Sequence, residues 1–163
     1  MLDSELSQWD TYGVADWNLE DGILSASVAD SAGFVMTKDR FKDFELELDF
    51  WPDSTINSGI FIRCQNTELS FETCYEINIW DLHPNQKFRT GSIVNRAEPL
   101  DYVETIGKWN KYRIRVQNNR VEAWINEVKT ADLKNSDLIE GYIGLQAMGT
   151  GEIKFRNVKL EAL

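Results

Sequence analysis

The chain predicts an all-β fold: an antiparallel β-sandwich of the jelly-roll type. Three observations carry that expectation. Hydrophobicity repeats with a period of two nearly everywhere, as in strands with one buried and one wet face. Turn-forming residues punctuate the chain at short intervals, and only Asp132–Leu138 offers room for a short helical turn. The 163 residues are 42% hydrophobic and include six Trp, enough to bury a core in one domain spanning 1–163. Ten or more short strands in this length favour two packed sheets, with a single closed barrel as the alternative.

Taken in order, the first strands are expected at Gly22–Val28 and Gly33–Met36. Phe44-Glu45-Leu46-Glu47-Leu48-Asp49-Phe50 then alternates strictly, apolar inward and acidic outward. Asn57–Arg63 (NSGIFIR) and Tyr75–Asp81 (YEINIWD) follow as a candidate hairpin, with Cys64 closing one run and Cys74 opening the other. The preferred state of these cysteines is two small, reduced side chains; a cross-strand disulfide is the alternative if they lie opposite each other. Leu82–Lys108, with His83, Pro84 and Pro99, is too long for a hairpin turn and suits a lid or binding edge around a strand at Gly91–Val94. Tyr112–Val116 repeats the alternation with basic residues outward, and Gln117-Asn118-Asn119-Arg120 is a tight turn into Val121–Ile125. Gly141–Gln146 and Glu152–Leu160 complete the set.

Composition excludes several function classes. Subtracting 27 acidic from 17 basic residues leaves a net charge of −10, so the phosphate-neutralising patch of a nucleic-acid partner is absent. No apolar run reaches membrane-spanning length. MLDSELSQWD has neither the basic nor the apolar region of an export signal, so the chain as written is expected in the cytoplasm unless a leader has been trimmed from it. No spacing of His, Asp, Glu or Cys reads as a metal site, and no cofactor is expected.

The informative departure from a plain sandwich lies in the candidate hairpin. Asn57, Ser58, Arg63, Glu76, Asn78 and Asp81 interrupt runs that otherwise read as buried strand, and an ionisable group there costs free energy unless it is paired or reaches water. Alternation puts Glu76, Asn78 and Trp80 on one face and the mostly apolar Tyr75, Ile77, Ile79 and Asp81 on the other. A carboxylate, an amide and an aromatic plate suit a sugar, with Asp81 on the rim and Gln146 adding a second amide. The competing structural reading holds Glu76 in a salt bridge with Arg63. Whether Arg63 meets Glu76 or Tyr75 depends on the hairpin register, which the residues leave open. Asn57 and Gly59 read as backbone devices, and Trp80 and Trp51 as the aromatics for sugar stacking.

In colinear order, Trp17…Glu20-Asp21-Gly22-Ile23-Leu24, Phe41-Lys42-Asp43-Phe44-Glu45-Leu46, NSGIFIR, YEINIWD, Thr90-Gly91-Ser92-Ile93, Gly107-Lys108-Trp109-Asn110, Gly144-Leu145-Gln146 and Phe155-Arg156-Asn157-Val158 resemble the 3-keto-disaccharide hydrolase domain family. The resemblance implies a concanavalin A-like sandwich and action on a glycoside whose sugar is a ketone at C3. That chemistry needs a base near C2, a donor for the enolate oxygen and an acid for the leaving group. The expected parts are Glu76 as base, Arg63 on the enolate or a sugar oxygen, and His83 as runner-up acid or base, with Asn78, Trp80, Asp81 and Gln146 binding substrate. The alternative is a lectin-like domain that binds carbohydrate without turnover. Where family members often carry His-Gly after Gly-Leu-Gln, this chain has Met148-Gly149, so any catalytic role of that histidine is lost. Many relatives are also exported.

Overall fold

A computed structural model describes residues 1–2 and 5–163. The described residues form ten strands and one 3-10 turn, Gln86–Phe88. The strands are β1 (Trp9–Gly13), β2 (Asp16–Glu20), β3 (Ile23–Thr37), β4 (Phe44–Pro52), β5 (Ile56–Cys64), β6 (Tyr75–Ile79), β7 (Asn110–Gln117), β8 (Arg120–Ile125), β9 (Val128–Lys134) and β10 (Tyr142–Ala162). Every pairing is antiparallel.

The two longest strands carry the architecture. The early half of β10 pairs with β5 and the late half of β3, whereas its late half pairs with β4 and the early half of β3. The change of partner occurs at a bulge between Gly149 and Gly151, where both glycines hold positive φ. One continuous sheet thus folds into two layers. The first runs β6-β5-β10-β3-β1; the second runs β9-β8-β7-β4-β10-β3-β2. Its edges stay open, so the sheet is a sandwich and not a closed barrel. The alternating apolar residues of both layers meet in one core that includes Leu46, Ile60, Tyr75, Ile77, Ile114, Leu145 and Phe155. Across it, the Tyr112 hydroxyl donates to the Asn78 carbonyl (3.1 Å), tying β7 to β6.

Several element expectations need correction. Two pairs of short strands, Gly22–Val28 with Gly33–Met36 and Gly141–Gln146 with Glu152–Leu160, are each one long strand, because pairing resumes on either side of a local bulge where the partners change. Asp132–Leu138 forms no helical turn: Asp132–Lys134 ends β9 and pairs with β8. Gly91–Val94 contributes only a bridge, Ile77↔Ile93, to the edge of β6. The Gln117–Arg120 turn is as expected, with Asn118 at φ +53°.

Cys64 and Cys74 are fully buried and joined as a disulfide. The ladder sets Phe61 opposite Glu76 and Ile62 opposite Tyr75. Straight continuation would place Arg63 opposite Cys74. Instead Arg63 takes φ +52°, and β5 carries an extra residue between the partners of Tyr142 and Gly144. That bulge brings Cys64 to Cys74 and turns Arg63 away from the ladder.

Candidate functional site on the outward face of the first layer

Because β5 pairs with both β6 and β10, its outward side chains sit between theirs. Phe61 lies between Glu76 and Gly144, and Gly59 between Asn78 and Gln146. A segment within the long loop adds an edge beyond β6: Asn78 N–H donates to the Ser92 carbonyl (3.0 Å) and Val94 N–H to that of Glu76 (2.9 Å). Ser92 therefore stands alongside Asn78. Gly59 leaves the floor low between two amides; a Cβ there would stand 3.3 Å from the Phe61 ring and 3.4 Å from the Ile77 carbonyl.

One end of this face is apolar. Met36, Phe61 and the Cys64–Cys74 disulfide form a second hydrophobic cluster, with Tyr12, Phe34, Leu69 and Tyr142 packed against it. Leu69 lies over Gly144, within the loop that the disulfide closes. The other end is polar and strained for partners. Asn78 Oδ1, Ser92 Oγ and Gln146 Oε1 are buried and accept or donate no hydrogen bond. Each such group costs about 1–3 kcal/mol, so three on one face point to a site shaped by something other than stability.

Glu76 sits at the border. Its carboxyl is partly exposed, not sealed between the layers, and burial alone pushes its pKa from 4.5 up to about 7. No cation or hydrogen-bond donor among the described residues offsets that desolvation, so near neutrality the group divides between its two protonation states. Trp80 follows on the same side, with the His83 ring 4.3 Å from its own and Phe88 5.6 Å beyond. His83 Nδ1 accepts from Asn85 N–H (2.9 Å), which leaves the ring proton on Nε2, and burial lowers its pKa.

Two expected members do not join this face. Arg63 is fully buried; it donates to the carbonyls of Lys42 and Leu138 and pairs with Asp43 at 3.1 Å. Neither expected register holds, and the bulge sends the guanidinium to pin two chain segments, so Arg63 pairs with Asp43 and the competing reading of a salt bridge to Glu76 is not met. Asp81 is also spoken for: its oxygens accept from the hydroxyls of Thr90 and Thr105 and from Thr105 N–H (2.6 Å). It staples the long loop and borders a different cleft, one that does not include Glu76. Trp51 belongs to the second layer, with Lys154 over its ring at 4.7 Å. Conversely, Ser92 and Phe61 belong to the face, though sequence reasoning gave neither a role. The Thr90-Gly91-Ser92-Ile93 motif was the available signal for Ser92. A metal-ligating group of three or more His, Cys, Asp or Glu is absent among the described residues.

The family model of the 3-keto-alpha-glucoside-1,2-lyase-like domain matches residues 1–161. The chain belongs to this family. Similar solved structures include two candidate glycosyl hydrolases from Parabacteroides distasonis. One is 27% identical with a TM-score of 0.79, covering 90% of either chain. The other is 20% identical with a TM-score of 0.82, covering 96% of this chain and 88% of that one. The carbohydrate-binding module CBM66 from Bacillus subtilis is 17% identical with a TM-score of 0.73, covering 95% and 96%. No curated protein matches the chain.

Proposed function

We propose that the chain cleaves 3-keto-glycosides, with Glu76 removing the proton at C2. A ketone at C3 acidifies that proton. The Glu76 carboxylate takes it, the C2–H electron pair forms the enolate, and collapse of the enolate makes a C1=C2 bond as the C1–O bond breaks. The departing oxygen takes a proton, and the C3 carbonyl re-forms. Addition of water across C1=C2 turns the elimination into net hydrolysis. A carboxylate with a pKa near the working pH is suited to this step, since it is both substantially ionised and basic enough to accept a proton. The Ser92 hydroxyl is the donor for the enolate oxygen, Asn78 and Gln146 orient the ring, Trp80 stacks on it, and His83 serves the leaving group.

The observation that carries this reading is a partly exposed, partnerless carboxylate beside partnerless polar groups, in a chain of the 1,2-lyase-like family. The 27% identical relative described as a candidate glycosyl hydrolase supports a glycoside as the broader class of substrate. The test is release of the aglycone from a chromogenic 3-keto-glucoside, with Glu76→Gln in parallel. Turnover in the parent protein and its loss in the variant support the proposal; equal turnover in both refutes it.

A second reading, sugar binding without turnover, is favoured by Met148. It stands 42% exposed two residues beyond Gln146 on the outward face, where relatives often carry histidine. Saturable binding of the same compound without release would establish it.

A further inference from the structure

A cleft of about 560 Å³ lies away from Glu76, among Asp81, Leu82, Gln86, Arg89, Glu104, Ile106 and Lys108. Its volume falls in the range of small-molecule sites. Asp81 follows Trp80 and faces the opposite side, so the loop from 82 to 90 has two sides. His83 and Phe88 pack on Trp80, while Leu82, Gln86 and Arg89 line the cleft.

Arg89 is the unusual member. It is 8% exposed, yet it has no carboxylate partner among the described residues. Of its five N–H groups, Nη1 gives one to Gln86 Oε1 (3.0 Å) and Nη2 one to the Val103 carbonyl (3.1 Å), while Nε has none. The Tyr102 ring lies 4.5 Å from the guanidinium carbon. Lys108, exposed in the lining, also has no ion pair among the described residues. The lining acceptors are mostly consumed: Asp81 by the two threonines, and Gln86 Oε1 by Arg89 itself. Gln86 Nε2 is occupied by the carbonyls of Asp81 and His83. Only Glu104 offers a free carboxylate. What remains are the unused donors of Arg89 and Lys108 beside the exposed aliphatic side chains of Leu82 and Ile106, with Asp81 and Glu104 as the acidic members of the lining.

We infer that this cleft is a second ligand site, for a carboxylate-bearing ring of the hexuronate kind. The carboxylate lies on Arg89 and Lys108, where a guanidinium offers paired donors, and the ring's apolar flank lies on Leu82 and Ile106. This second site is independent of the role of Glu76.

The test is an NMR titration of the full chain, following the Arg89 Nε–H and Ile106 methyl resonances. The probes are methyl glucuronide, methyl glucoside and acetate at constant ionic strength. Glucuronide is expected to shift both resonances saturably, at least tenfold tighter than either other probe. Lys108→Ala, a change at an exposed side chain, is expected to weaken it at least threefold. Glu104→Gln, which removes the free carboxylate, is expected to tighten it. Equal responses to the three probes, no saturable shift, or glucuronide binding unchanged in Lys108→Ala would overturn the inference. Arg89→Gln adds a check only where its spectrum shows the loop still folded; unaltered binding in that variant would also overturn it.

Discussion

Phe61 and Glu76 face each other across the β5–β6 ladder, so the one partnerless carboxylate of the outward face is flanked by a fully buried aromatic ring. Burial of the carboxyl in this setting is the physical source of the raised pKa. It also makes stability depend on pH. Because the folded-state value, about 7, lies above the ordinary 4.5, folding favours the protonated carboxyl. This contribution is complete below about pH 4.5, declines as the pH rises, and is lost above about 7. Glu76→Gln removes the dependence. In urea unfolding, the variant is expected to match the parent near pH 4.5 and to exceed it by on the order of 1–3 kcal/mol at pH 8. That range follows from about 1.4 kcal/mol for each tenfold change in proton affinity, reduced for partial exposure. An identical pH dependence in the two proteins would show that the carboxyl is not desolvated.

Gly59 sets the depth of the same face. An added Cβ meets the Phe61 ring and the Ile77 carbonyl at 3.3–3.4 Å, tight contacts that small shifts relieve. Gly59→Ala is therefore expected to cost about 1 kcal/mol or less in thermal unfolding, by the usual scale of mild overpacking. Between the amides of Asn78 and Gln146, however, it raises the floor on which a sugar would lie. At least a tenfold rise in KM, with the fold intact by circular dichroism, is the expected outcome; unchanged KM would remove this face from substrate binding.

Arg63 separates structural from catalytic importance. Its guanidinium satisfies two carbonyls and Asp43 from a fully buried position. Arg63→Met would strand those acceptors, at a cost of about 3–5 kcal/mol. Chemical denaturation should show that loss, while kcat measured at a temperature where the variant remains folded stays within a few-fold of the parent. A normal melting curve with abolished kcat would reverse the assignment.

The disulfide closes a loop with a sequence separation of 10 and holds Leu69 over Gly144. Short closed loops of this kind contribute roughly 2–3 kcal/mol. Reduction is expected to lower the thermal midpoint by several degrees and, by loosening the cover near Glu76, to move the acidic limb of the activity profile to lower pH. A reduced protein with both properties unchanged would contradict this role.

The residues made the fold legible because strict alternation in Phe44–Phe50 and Tyr112–Val116 and the Asn118-Asn119 turn are local signals with one structural solution. The outward set Glu76, Asn78, Trp80 followed from alternation alone, and Gln146 joined it through β5. What alternation cannot supply is a bulge. The extra residue at Arg63 reversed the direction of its side chain and paired the cysteines, through a backbone conformation that Arg rarely adopts. Asp81 was misassigned for a related reason: its partners Thr90 and Thr105 lie 9 and 24 residues away, beyond any local pattern. The merging of short strands into β3 and β10 likewise depends on partners that change along the chain.

Proton removal from C2 by Glu76 is read most directly from aglycone release by a 3-keto-glucoside carrying deuterium at C2. Three results are expected together: a severalfold slowing relative to the protiated compound, a rate that rises with pH toward a plateau above about 7, and loss of release in Glu76→Gln. Release that is insensitive to the isotope and persists in Glu76→Gln would show that this carboxylate is not the base.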